Sequence, residues 1–221
     1  MRVVITSATV NEWAGVNENI NPLYTGESSR LQVSFHKSGV GILATTFSLS
    51  KLIVEVQPDL IIQIGIAGTF EKNLLGKLVV VKDELLGDLG VEENYQFKDV
   101  FDLKLEAANE YPFRKKKLPN VWLEKFSLLN LSEVSSITVN EITTREERIH
   151  QLQKKYNPQI ESMEGAALHY VGLLTNTPFI QIRAVSNMVG ERDKSKWQMN
   201  EALSNLTTTT LKLIERLYKL K

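Results

Sequence analysis

The stretch FIQIRAVSNMVGERD, residues 179–193, frames the reading of the whole chain. Phe179, Ile180, Ile182 and Val185 suit a strand buried on both faces, yet Ser186-Asn187 then passes into Gly190, Arg192 and Asp193. A strand that is apolar along its length and polar where it stops belongs to a covered α/β sheet, whose ligands bind beyond the carboxyl ends of the strands. Three further apolar runs repeat the pattern, at 3–5, 60–64 and 78–81. Segments 32–35 and 133–139 read as additional strands, the first of them antiparallel.

Helical patterns separate the strands. Residues 42–56 carry Leu43, Phe47, Leu49, Leu52, Ile53 and Val56 at helical spacing and stop at Pro58. Thr144-Arg145-Glu146-Glu147 matches a capping box and opens a helix that ends before Pro158. Residues 163–174 stop before Pro178, and 197–220 form a last amphipathic helix. Strand and helix alternate from end to end. The expectation is one three-layer α/β/α domain over residues 1–221, with a mixed, largely parallel central sheet. Residues 87–120, with two prolines and mixed charge, read as an irregular insertion over one edge.

The 221 residues include 26 basic and 26 acidic ones, so no net charge draws the chain to nucleic acid. The densest basic run, Arg114-Lys115-Lys116-Lys117, reads as a solvated loop. Without cysteine there is no disulfide or thiolate chemistry, which suits a reducing compartment. No apolar run approaches the ~20 residues of a membrane span, and the N-terminal residues lack a signal-peptide pattern. A cytoplasmic protein without membrane partners is expected.

The residues that follow each apolar run define a polar rim. It collects Glu12 after the first strand, Gly65-Ile66-Ala67-Gly68 after the second, Asn140 after 133–139, and Ser186-Asn187. Met163-Glu164 opens a helix on the same rim. Alone, Gly65–Gly68 reads as a tight strand-to-helix turn; it is neither a G-x-G-x-x-G fingerprint nor a Walker loop. Glu164 has two readings: an answer to the helix dipole, or an acceptor for vicinal hydroxyls. Glu12 is likewise either a surface acid or a base. His36, His150 and His169 share no ligand spacing, so no metal is assigned, and no cofactor is expected.

The segments ESMEGAA (161–167) and RAVSN (183–187), with KSGVGILATT (37–46), PDLIIQIGIAGTF (58–70) and LLGKLVVVKDE (74–84), resemble the nucleoside phosphorylase and nucleosidase superfamily. That resemblance covers almost the whole chain. It implies the nucleoside phosphorylase-like fold, a purine nucleoside substrate and a homo-oligomer, since related nucleosidases are dimers that complete each other's pockets. It also implies roles: Glu12 activates water, Glu164 holds the ribose 2′- and 3′-hydroxyls, and Met163 lies against the sugar. Ile66, Ala67 and Gly68 would line base and sugar, and Thr138 and Val139 would cover the base. Members that cleave adenine nucleosides carry aspartate where this chain has Asn187. An amide offers N–H to an O6 carbonyl and C=O to a protonated N7, the pattern of a 6-oxopurine. Hexameric phosphorylases of the superfamily hold phosphate with an arginine where this chain has Gln63, so hydrolysis is expected.

Overall fold

Strands grow from the apolar runs but extend well past them in the computed structural model, which describes residues 1–26 and 29–220. In chain order the elements are β1 (Arg2–Ser7), α1 (Val10–Asn19), β2 (Gln32–Lys37), α2 (Gly41–Val56), β3 (Leu60–Thr69) and β4 (Leu78–Leu86). Then follow β5 (Gly90–Glu93), β6 (Gln96–Asp99), β7 (Leu118–Pro119), α3 (Leu123–Phe126) and β8 (Ser132–Thr138). The chain continues through α4 (Glu146–Tyr156), β9 (Ile160–Ser162), α5 (Gly165–Leu174), β10 (Phe179–Met188) and α6 (Met199–Lys219).

The central sheet is mixed. β1 pairs in parallel with β2 and β3, β3 with β10, and β8 with both β4 and β9. Antiparallel pairs join β10 to β4, β3 to β9 and β4 to β7. Strands β3, β10, β4, β8 and β9 therefore form a closed circuit of pairings, with β1 and β2 extending from β3. β2 is parallel to β1, not antiparallel as its sequence suggested. The reason is α1, which the sequence reading missed: a helix between two adjacent strands is a crossover, and a crossover returns the chain in the same direction.

Both faces of the sheet are covered, which explains the unbroken apolar runs. Val3, Ile5, Ile62 and Ile64 pack with Val16 of α1 and with Leu206, Leu213 and Ile214 of α6. Val4 and Ile61, from the alternate positions, pack on the other face with Leu49 and Leu52 of α2 and Leu168 of α5. The helices stop where the prolines require. Gln57 and Asn157 close α2 and α4 in the left-handed conformation, each just before a proline. The capping box at Thr144 does not form. α4 starts at Glu146, and its N-cap, Arg145, makes no side-chain bond.

Two other expectations change. Gly65–Gly68 is no turn; it is the far half of the strand β3. The basic run at 114–117 is not simply a solvated loop, because Lys116 bridges Asp99 and Asp102 while Lys117 reaches Asp83. Residues 90–99 form a β5–β6 hairpin within the predicted insertion. Among the described residues no helix is long and apolar enough to cross a membrane.

Candidate functional site

Where β3 and β10 end side by side, a cavity of about 430 Å³ opens. The pairing of these two strands builds its floor. Their register shifts at Ser186, a bulge that places Asn187 opposite Gly68 in the position Ser186 would otherwise occupy. Ser186 stays fully buried and donates its hydroxyl to Asn187 Oδ1 at 2.8 Å. Asn187 Nδ2 donates to the Met188 carbonyl at 2.9 Å. A carbonyl only accepts, so this bond fixes which end of the amide is which. Among the described residues, one N–H and one lone pair of Asn187 remain free. Gly68 is bare because a Cβ there would come within 3.2 Å of Val189 Cγ2 and 3.5 Å of Asn187 Nδ2.

Among the carboxylates that line the cavity are Glu12 and Glu164. Glu12, in the first turn of α1, accepts from Thr9 N–H at 2.9 Å and Thr9 Oγ1 at 3.1 Å, while its Oε1 meets the Ile66 N–H at 3.3 Å. Glu164 is the N-cap of α5, yet its side chain does not cap that helix. It turns instead to the start of α2, where Oε1 accepts from Gly41 N–H at 3.1 Å, and to Arg183, whose Nη1 lies 3.8 Å from Oε2. Burial pushes the Glu164 carboxyl up from the ordinary range; Arg183 and the Gly41 N–H oppose that shift, and Glu12 reinforces it. Gly65 makes room for this arrangement. A Cβ at that position would fall 2.4 Å from Arg183 Nη1 and 2.8 Å from Glu12 Oε1, so both groups face the space above it.

Ile66, Ala67, Gly68, Met163, Glu164, Asn187 and Glu12 all line the cavity. Thr138 and Val139 do not. Thr138 is fully buried, donating to Glu84 Oε2 and accepting from Ala166 N–H, both at 2.8 Å, and Val139 faces a neighbouring cleft. Arg192 and Trp197, from the polar run after β10, also line it, and four further lining residues had no role in the sequence reading: Ile142, Glu161, Met199 and Leu203. Glu161 sits opposite Gly68 across β9, as Asn187 does across β10. Its Oε1 accepts from Thr143 N–H, its buried Oε2 has no partner among the described residues, and burial pushes its carboxyl upward. Arg192 lies over the Trp197 ring at 5.7 Å. Of those four, Glu161 fell within a segment singled out for the resemblance, as the first residue of ESMEGAA.

A second polar cluster lies under the site. Glu84, at the far half of β4, is wholly buried and accepts from Gln181 Nε2 at 2.9 Å as well as from Thr138. Burial pushes its carboxyl up to about 7, against the pull of those bonds and of Arg183. His169 is also fully buried, hydrogen-bonds the Leu118 carbonyl through Nδ1, and is pushed down to about 4 by burial. It is a neutral core histidine.

The chain belongs to the Phosphorylase superfamily, whose sequence profile matches residues 5–217. The futalosine hydrolase of Thermus thermophilus is 27% identical over 182 residues, covering 80% of this chain and 79% of that protein. The 5′-methylthioadenosine/S-adenosylhomocysteine nucleosidase of Bacillus subtilis is 27% identical over 202 residues, covering 88% and 85%. Among solved structures, the like-named nucleosidase of Campylobacter jejuni superposes with a TM-score of 0.77 at 19% identity over 100% of both chains. A mutant futalosine hydrolase of Helicobacter pylori gives 0.74 at 15% identity over 97% of both. The structural likenesses establish the nucleoside phosphorylase-like fold. Together with the sequence relatives they define this chain as an enzyme, an N-glycosyl hydrolase of the nucleosidase kind.

The buried Glu84 makes stability pH-dependent with a definite sign. Its folded pKa, about 7, stands above the ordinary 4.5, so its proton is held more tightly in the folded state. That contribution is complete below about 4.5 and lost as pH rises through about 7. In thermal melts, the Tm advantage of Glu84→Gln over the parent should therefore grow between these two pH values. A constant difference across the window would show that Glu84 does not titrate there.

Proposed function

We propose that the enzyme hydrolyses futalosine, releasing hypoxanthine and leaving dehypoxanthine futalosine, a step on the futalosine route to menaquinone. The observation that carries this reading is the locked amide of Asn187, with one donor and one acceptor left over. A departing 6-oxopurine needs an acceptor for N7–H and a donor for O6, and the two free valences of Asn187 match in kind. An adenine protonated at N7 would set its 6-amino group against the Asn187 N–H, a donor facing a donor. The rival specificity, that of the 5′-methylthioadenosine/S-adenosylhomocysteine nucleosidases, is disfavoured on this ground.

The rest of the cavity fits the same substrate. Arg192 is the one cation among its described lining residues and lies over the Trp197 ring, 5.7 Å from its centroid. Futalosine bears a benzoate on the sugar side, and a guanidinium over an indole suits an aromatic carboxylate. Lys37 does not line the cavity, and Arg145 lies along a separate cleft near Glu92. Gln63, where phosphorylases carry their phosphate-holding arginine, is buried and bonded to Arg183, which favours water as the nucleophile.

In the mechanism, Glu12 orients a water and takes its proton as the oxygen bonds to C1′ and the C1′–N9 bond breaks. The departing purine takes a proton at N7 from solvent, and Glu12 returns its own proton to solvent. Glu164 holds the ribose hydroxyls beside the charge that develops on the sugar. Asn187 stabilises the leaving base. Glu12→Gln should lower kcat by about 10²- to 10⁴-fold with little change in KM, the scale of a lost general base; near-parental turnover would remove Glu12 from that role. Asn187→Asp should shift preference from 6-oxopurine to adenine nucleosides, with kcat/KM for the former falling on the order of 10⁴-fold. An unchanged base preference would count against the amide.

A homodimer is the assembly we infer. Leu43, Phe47 and Val54 share one face of α2 and are 86%, 72% and 78% exposed, an apolar stripe that a second copy would cover. Val40, at the entrance to the same helix, lines the cavity, so that copy would also help close the site. Light scattering should return the mass of two chains; a fully active single chain would contradict the dimer.

A further inference from the structure

The first N–H groups of a helix need acceptors, and these ordinarily come from the N-cap side chain. In α5 the N-cap is Glu164, and its carboxylate bonds elsewhere. The Ala166 N–H is served from a distance, by Thr138 Oγ1 at the end of β8, 28 residues earlier. That hydroxyl is in turn held by donating to Glu84, and Glu84 is fixed from its other oxygen by Gln181. The relay is packed too tightly for a side chain at residue 165. A Cβ on Gly165 would fall 1.7 Å from Glu84 Oε1 and 2.5 Å from Gln181 Nε2.

This arrangement has a consequence for Glu164. A glutamate that capped its own helix would fold back onto the backbone and lose its reach. Because β8 and β4 supply the cap, the carboxylate is free to sit between Gly41, Arg183 and the cavity. We propose that Thr138, clamped by Glu84, is a positioning residue: it replaces the local cap of α5 and so sets Glu164 to receive the ribose hydroxyls. The proposal rests on the reading of Glu164 as the ribose acceptor. It also gives Thr138 a function without contact to the base.

The readout is discrimination between ribose and 2′-deoxyribose, which a purely structural residue would leave unchanged. The probes are inosine and 2′-deoxyinosine, with kcat/KM measured for each in the parent and in Thr138→Val, Thr138→Ser and Glu164→Gln. Valine keeps the volume and removes both hydrogen bonds. The ribo/deoxy ratio should fall about tenfold in Thr138→Val, the scale of one or two net hydrogen bonds. It should return toward the parental value in Thr138→Ser, and should not fall further when Thr138→Val is added to Glu164→Gln. If the valine variant does not fold, Thr138→Cys, a weak hydrogen-bonding near-isostere, gives the same readout. A ratio that moves in Glu164→Gln but stays parental in Thr138→Val overturns the relay alone. A ratio that stays parental in Glu164→Gln removes the ribose reading, and the proposal with it.

Discussion

One guanidinium inside the sheet holds the site together. Arg183, on β10, is only 1% exposed, and a buried cation costs several kcal/mol unless partners compensate it. Its compensation comes from Gln63 Oε1 at 2.8 Å and the Glu164 carboxylate at 3.8 Å. In return its charge opposes the rise that burial imposes on Glu164 and on Glu84. Gly65 follows from the same constraint, since the guanidinium occupies the space where a Cβ would project. The small residues of β3 therefore serve close approach, and the strand continues through them.

Much of this was legible in the sequence, for reasons that can be named. Strands buried on both faces leave unbroken apolar runs, and the polar residues just beyond them mark the rim; that is how Glu12, Gly68 and Asn187 came into view together. The helices α2, α4 and α5 announced their ends through prolines. What escaped notice lacked such a signal. α1 has a thin apolar face, with Val16 its one fully buried residue, so it read as loop, and the direction of β2 was misjudged with it. β9 spans only three residues. Glu84 and Arg183 were given no role beyond the segments that hold them, because nothing local indicates that a charge will be buried and partnered by residues far along the chain. Thr138 was placed over the base by resemblance, but its hydroxyl is engaged by Glu84 and Ala166 within the fold.

The two ends of the cavity make different demands. At one end, a bulge, a serine hydroxyl and one backbone carbonyl set the orientation of an amide, which under the proposed function selects the base. Exchanging that amide for an acid alters the hydrogen-bond pattern offered to the purine without changing its shape, so close relatives on one scaffold can differ in the base they release. At the other end, the exposed Arg192 and the half-buried Trp197 form a cationic and aromatic pair in a cavity whose other charged lining residues are carboxylates, Glu12, Glu161, Glu164 and Glu191. The proposed substrate, a 6-oxopurine nucleoside with a distal carboxylate, would use both ends.

The most direct measurement offers the purified enzyme equal concentrations of futalosine, inosine and methylthioadenosine in phosphate-free buffer and follows the released bases chromatographically. The account predicts hypoxanthine, drawn mainly from futalosine, at a rate that added phosphate leaves unchanged. Adenine as the dominant product, or a reaction that waits for phosphate, would contradict it.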